Sequence, residues 1–258
     1  MALRIPSGLG STLRGYDLIP DTIGRSGDGV YRLEAACRPT LFLKVSERTH
    51  ENRLVAEAHR MAWLSSVGIP APRILHAVET IDQHWLVMEC LPGANAVLST
   101  ESPAVKVRQV ARALADLHAL PAADCPFDET LAIKLERAKR NIKAGEVDVE
   151  DFDHDHLGMT APELYCAMES LRPEHEDIVV AHGDASLPNF MLDGGAFAGF
   201  VDCGRLGRSD RYQDLSLACH SIEYSLGADW VAPFLRLYGL ATVDEQKLRF
   251  YRMLDEFF

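Results

Sequence analysis

From residue 23 to residue 91 the hydrophobic pattern is that of strands interrupted by a single helix. Residues 30–35 and 41–45 read as two strands joined by the Arg38-Pro39 turn. In the second strand Leu41, Leu43 and Val45 fall on one face, and Phe42 and Lys44 on the other. A helix over about residues 52–66 follows, because Leu54, Glu57, Met61 and Leu64 recur at i, i+3, i+7 and i+10 and share a face. Glu57 is the odd member of that apolar stripe. A carboxylate on a buried face requires a cationic partner, and Lys44 is the nearest candidate in sequence. The run Gly68-Ile69-Pro70-Ala71-Pro72 ends the helix, and residues 73–79 and 84–89 read as a further strand pair.

After Cys90-Leu91-Pro92-Gly93 the period becomes helical. Ser102-Pro103 marks a helix start, with a capping residue before proline at the first helical position, and helices are expected over about 103–119, 129–144 and 161–171. Residues 178–181 form a short buried strand, 182–189 the loop leaving it, and 190–192 with 197–201 the next hairpin; three more helices complete the chain. The expected fold is α+β, with a small strand-rich lobe over residues 1–91 and a larger, mainly helical lobe over 92–258. There is no internal repeat and no low-complexity segment.

Composition narrows the partners. With 258 residues, 47% of them hydrophobic, the chain can bury an ordinary core in one large domain or two modest ones. A net charge of −12, from 26 basic and 38 acidic residues, speaks against binding to nucleic acid or anionic membrane and favours a cationic small molecule. Cys37, Cys90, Cys125, Cys166, Cys203 and Cys219 are scattered without a CxxC pair and read as buried reduced thiols. Residues 1–15 contain no apolar run of signal-peptide length, and no segment reaches the length of a membrane span. A cytoplasmic monomer or weak homodimer is expected.

The polar residues that carry chemistry cluster in His182-Gly183-Asp184-Ala185-Ser186-Leu187-Pro188-Asn189 and Asp202-Cys203-Gly204. Asx-rich turns are common, but here an aspartate and an asparagine lie five residues apart on a loop after a buried strand. The next hairpin supplies a second aspartate. Those are the parts of a phosphoryl-transfer centre, in the order and with the five-residue step of the protein-kinase catalytic loop and metal-binding turn. Asp184 would orient an acceptor hydroxyl and take its proton late, while Asn189 and Asp202 would bind Mg2+. Lys44, paired with Glu57, would neutralise the α- and β-phosphates of ATP. The glycine-rich segment Gly24-Arg25-Ser26-Gly27-Asp28-Gly29 could cover those phosphates, with Ser26 as its best contact. Backbone groups at Cys90 and Leu91 could hold an adenine edge while Phe42 stacks on its face.

Two acidic clusters remain. Residues 146–156 carry six carboxylates in eleven positions, and Leu254-Asp255-Glu256-Phe257-Phe258 puts negative charge at a helix end already negative by its dipole. Such clusters are costly unless a cation binds there, which points to a polyamine-like substrate. His154 and His156, two residues apart, do not make a metal motif.

HGDASLPN, FVDCGRLGRSDRYQDLSLA and the terminal YRMLDEFF, taken together, resemble the aminoglycoside 3′-phosphotransferases, antibiotic-resistance kinases with a protein-kinase-like fold. IGRSGDGVYRL, LFLK and CPFD extend the likeness from about residue 16 to 258. The resemblance implies transfer of the ATP γ-phosphate to the 3′-hydroxyl of aminoglycosides such as kanamycin and neomycin. It implies Asp184 as the catalytic residue, Asn189 and Asp202 as magnesium ligands, and Lys44 with Glu57 as the phosphate anchor. Ser26 would belong to the nucleotide loop, and Cys90 and Leu91 to the adenine-binding hinge. Arg205 falls near the transferring phosphate or the antibiotic, and Asp153, Asp155, Asp255, Glu256 and the carboxylate of Phe258 where the family binds substrate ammonium groups. His220 and Ser225 stand where relatives carry arginine and acidic residues. Another expected reading is a metabolic kinase of the same superfamily acting on a different cationic alcohol or amino sugar. A non-catalytic nucleotide-binding regulator would have lost a metal ligand or the base, and no segment resembles the activation loop of a protein kinase.

Overall fold

A computed structural model describes residues 5–21, 29–47 and 53–258. The chain forms two compact units, Met1–Gly93 with Ala198–Gly204 and Ala94–Phe197 with Arg205–Phe258. The glycine-rich segment, including Ser26, lies outside the described residues except for Gly29.

The first unit contains α1 (Gly10–Leu13), β1 (Asp17–Pro20), β2 (Gly29–Glu34), β3 (Leu41–Glu47), α2 (Arg53–Ser66), β4 (Ile74–Glu79) and β5 (Gln83–Glu89). The strands make one antiparallel sheet in the order β1-β2-β3-β5-β4. Leu41, Leu43 and Val45 pack with Leu33, Trp85 and Val87 in a core closed by Leu9 and Leu13, and Phe42 and Lys44 lie half-buried on the opposite face. On α2, Leu54, Glu57, Met61 and Leu64 are at most 3% exposed, so the glutamate does share the apolar stripe. Strand β1 was not foreseen. It is an edge strand with a mostly exposed pattern, and it ends on Pro20, where a missing N–H is tolerated.

The second unit begins with the two-residue strand β6 (Ala94–Asn95), also unforeseen, and continues with α3 (Pro103–His118), α4 (Leu131–Ala144) and α5 (Ala161–Glu169). Then come β7 (Ile178–Ala181), β8 (Phe190–Asp193), β9 (Ala196–Phe200), whose last three residues belong to the first unit, β10 (Gly207–Asp210), α6 (Arg211–Leu226), α7 (Val231–Tyr238) and α8 (Glu245–Asp255). Helix α3 starts at Pro103 as expected, although the Ser102 side chain makes no capping hydrogen bond. Strand β10 pairs antiparallel with β7, from Gly207 opposite Ala181 to Asp210 opposite Ile178. Its Gly-Arg-Ser-Asp sequence has no apolar alternation, and so the sequence pattern did not reveal it.

None of the six cysteines is in a disulfide, as expected, but only Cys125, Cys203 and Cys219 are buried; Cys37, Cys90 and Cys166 are exposed, contrary to expectation. Among the described residues no helix is long and apolar enough to cross a membrane.

Helix α4 fixes the chain's last residues. Leu131, Leu135 and Ala138 join Tyr212, Phe250, Leu254 and Phe257 in one core. Beside them the buried Asn141 amide donates to the Phe257 carbonyl at 2.8 Å, and the Arg137 guanidinium sits 5.8 Å from the centre of the Phe258 ring. Asn141→Ala strips a buried carbonyl of its donor and is expected to cost about 1–3 kcal/mol in urea unfolding. An unchanged midpoint would show that water reaches the Phe257 carbonyl.

Candidate active site

The loop after β7 is tied down from beneath by a carboxylate that has no access to water. Asp214, in the first turn of α6, is fully buried and accepts N–H groups from His182 at 2.7 Å, from Gly183 at 2.8 Å and from His118 Nε2 at 3.0 Å. Burial alone would raise its pKa. The His118 hydrogen bond and charge, with the His182 contact, outweigh burial and hold it below the usual carboxylate value. Gln213 adds a hydrogen bond from its Nε2 to the Gly183 carbonyl at 3.3 Å. Gly183 has φ +86°, and a Cβ there would lie 2.2 Å from the Arg205 carbonyl oxygen, so both the conformation and the space require glycine.

On this loop Asp184 is half-buried. Asn189 Nδ2 donates to the Asp184 carbonyl at 2.9 Å and to Ser186 Oγ at 3.2 Å, which turns the amide oxygen away from these partners. Arg205 Nη1 lies 2.5 Å from Asp255 Oδ1 and its guanidinium 5.6 Å from the Phe258 ring centre. The Asp255 carboxyl is pushed up by burial first and by the Asp184 charge, against the pull of Arg205 and Lys134. Asp184, Arg205 and Asp255 thus share one electrostatic neighbourhood.

The first unit assembles a second group. Lys44 Nζ donates to Glu57 Oε1 at 2.7 Å and to Asp202 Oδ1 at 3.1 Å. Burial opposes the ammonium charge, but the two carboxylates prevail and raise its pKa. Asp202 has φ +57°, a left-handed conformation rare outside glycine. The segment that presents it is docked by the Phe200 N–H on the Pro70 carbonyl at 2.9 Å. Next to it, the Cys203 thiol is driven well up by burial, Glu57 and Asp202, and is an inert core group. Phe42 pairs across the sheet with Met88, Leu91 is half-buried, and the exposed Cys90 thiol donates to the Leu91 carbonyl at 3.2 Å.

Residues 17–251 match the family described as the phosphotransferase enzyme family. The chain belongs to it. An aminoglycoside 3′-phosphotransferase of Streptomyces fradiae is 38% identical over 250 residues, covering 91% of this chain and 92% of that protein. The crystal structure of a type VIII aminoglycoside-3′-phosphotransferase superposes with a TM-score of 0.89 at 37% identity, covering 97% of each chain. An aminoglycoside phosphotransferase from Streptomyces rimosus, solved in complex with ADP and streptomycin, superposes with a TM-score of 0.83 at 28% identity over 96% of this chain and 95% of that one. These relatives agree with the resemblance carried by the motifs, and the fold is the protein-kinase-like fold of this family.

The phosphotransferase's acidic face differs from the expectation of uncompensated charge. Asp153 Oδ2 lies 2.5 Å from Arg252 Nε, and Asp153 Oδ1 lies 3.5 Å from His220 Nε2. Glu256 accepts the Asp153 N–H at 2.9 Å and shares a very short contact with His156 Nδ1. With Asp255 on Arg205, three of the acids assigned to substrate ammonium groups already face cations or imidazoles of their own chain. Asp155 lies 3.7 Å from His154 Nδ1, but both side chains are largely exposed, at 73% and 95%.

Several supporting residues of the phosphotransferase escaped the motif reading. Asp210, fully buried, caps α6 through the Tyr212 N–H at 2.9 Å and pairs with Lys247 at 2.6 Å. Asp210, Gln213 and Asp214, all from the DRYQD segment, therefore start α6 and hold the loop. On α4, Lys134 is buried in the stripe formed by Leu131, Leu135, Ala138 and Asn141, just as Glu57 is in its own. Its pKa is lowered to about 8 by burial first, with Glu129, Arg205, Asp255 and Asp214 as its charged neighbours.

Asp214→Asn is expected to cost roughly 1.5–3 kcal/mol and to speed hydrogen exchange at the His182 and Gly183 amides; unchanged exchange at both would show that the loop is held elsewhere. Lys134 gives a pH signature. Between its folded value of about 8 and its ordinary value of 10.5 the unfolded chain binds more protons, so this residue makes stability rise with pH across that window. Below pH 8 its full burial cost is present. Wild type measured against Lys134→Met should therefore gain stability between pH 8 and about 10; a flat difference would mean that the ammonium is not penalised in the fold.

Proposed function

We propose that this phosphotransferase moves the γ-phosphate of ATP to the 3′-hydroxyl of kanamycin- and neomycin-type aminoglycosides, conferring resistance. Support comes chiefly from the Lys44, Glu57 and Asp202 cluster in a family whose similar members are aminoglycoside 3′-phosphotransferases. A lysine held between two carboxylates stays charged and fixed in position, ready for the α- and β-phosphates. Phe42, Cys90 and Leu91 would take the adenine, and Ser26 a phosphate contact. Residues 1–91 would thus do the nucleotide work and residues 92–258 the catalysis and acceptor binding.

The acceptor oxygen forms a bond to the γ-phosphorus while the bond from that phosphorus to the β–γ bridging oxygen breaks. The hydroxyl proton passes to Asp184, and ADP leaves. Such a step needs positioning more than a strong base, which suits an aspartate on a loop locked by Asp214. The Asp202 carboxylate and the Asn189 amide oxygen, whose Nδ2 is already committed to the Asp184 carbonyl, are the hard oxygen donors that Mg2+ prefers, and the ion would neutralise charge on the phosphate oxygens. Arg205 would sit beside the transferring phosphate, with Asp153, Asp155, Asp255, Glu256 and the Phe258 carboxylate receiving the substrate's ammonium groups.

The test is ADP release from magnesium-ATP with kanamycin A, run beside tobramycin, which lacks the 3′-hydroxyl. Turnover on kanamycin alone is expected, lost in Asp184→Ala while ATP affinity stays near normal. No turnover on either drug would sink the aminoglycoside reading, and turnover on tobramycin would sink the 3′ position.

A further inference from the structure

Four side chains from three parts of the second unit converge with the donor chemistry of a metal site. Asp153 and His156 lie on the segment between α4 and α5, where the His156 backbone N–H bonds the Asp153 carbonyl at 2.8 Å in a turn. Glu256 is the C-cap residue of α8, and His220 lies on α6. The ligand atoms of Asp153, His156 and Glu256 are all within 4.8 Å of one another, and His220 Nε2 is 3.5 Å from Asp153 Oδ1. Ligand atoms in a tetrahedral site with bonds of about 2.1 Å sit about 3.4 Å apart.

The orientation of each carboxylate adds to this. Arg252 Nε holds Asp153 Oδ2, so Oδ1 is the oxygen that faces His220. The Asp153 N–H holds Glu256 Oε2, so Oε1 is the oxygen that faces His156. One oxygen of each acid is anchored, Asp153 by the Arg252 side chain and Glu256 by a backbone N–H, and the other is aimed inward, as ligating carboxylates are commonly held. Two imidazoles among four ligands select zinc and its neighbours over magnesium or calcium, which take oxygen sets. Arg252 adds positive charge nearby, which the carboxylates of Asp153 and Glu256 offset.

We propose that Asp153, His156, His220 and Glu256 form a zinc-class metal site on the acidic face, and that zinc bound there excludes the antibiotic. The metal site stands on its own geometry; the exclusion rests on the function proposed above, because it assigns Asp153 and Glu256 to substrate ammonium groups.

Calorimetric titration of the full chain with zinc ions alone tests it. One zinc per chain is expected, undisturbed by excess magnesium. Affinity should fall at least about 10-fold in His156→Ala and in His220→Ala, and remain unchanged in His154→Ala. His154 is next in sequence but 95% exposed, and so serves as the control. The more exposed His220 keeps the test usable should His156→Ala fail to fold. Unchanged affinity in His220→Ala, or zinc binding abolished by alkylating the exposed Cys37, Cys90 and Cys166, would overturn the site. Excess kanamycin should weaken zinc binding to wild type. If zinc binds through the histidines while kanamycin is neither a competitor nor a substrate, the antibiotic reading falls and the metal site stands. If kanamycin is phosphorylated without competing, the exclusion is overturned.

Discussion

An ionised carboxylate sealed from solvent is tolerable only where protein donors replace its lost water, and Asp214 meets that condition with N–H groups from His182, Gly183 and His118. Two of those donors are the backbone of the catalytic loop. A shift of the loop would leave a buried charge short of donors, so the loop has one conformation rather than several. The left-handed φ of Gly183 and its close approach to Arg205 follow from that fixed path. Arg205, set by the loop, meets Asp255 at the end of α8, and α4 holds the residues beyond through Asn141. A chain of contacts therefore runs from one buried acid to the C-terminal carboxylates.

The first unit uses the inverse arrangement. There the buried group is a cation, Lys44, and the compensating acids come from α2 and from the returning segment 198–204. Asp202 reaches Lys44 from a strained backbone, a cost borne where the family's phosphate chemistry is expected.

The parts legible in the sequence were those that break a local pattern. Glu57 in an apolar helical stripe demanded a cation, and Lys44 on the half-buried face of β3 was near enough to name. Lys134 and Asn141 carry the same signal on α4, and the same logic would have found them. Asp214 was within a recognisable motif, yet its partners are backbone N–H groups more than thirty positions earlier, which no spacing rule encodes. The pairings of Arg252 with Asp153 and of Arg205 with Asp255, 99 and 50 residues apart, were equally out of reach. Composition showed an excess of acid but could not show that the acid was already answered. Strands β1 and β10 were missed because an exposed edge and a polar Gly-Arg-Ser-Asp run leave no alternation to read.

The internal pairing of the acidic face also changes how the molecule looks from a distance. A net charge of −12 suggests a strong pull on any approaching polycation, but a field is set by where charges sit and not by their sum. Asp153 and Asp255 each present a dipole with a neighbouring arginine instead of a bare negative point. A dipole's field falls off faster than that of a bare charge, so these two acids reach less far into solution than the exposed Asp148, Glu150, Asp151 and Asp155 of the same acidic run. At Asp153 and Asp255, then, a cation arriving at close range would have to take the place of an arginine already there, whatever the long-range pull of the exposed acids around them.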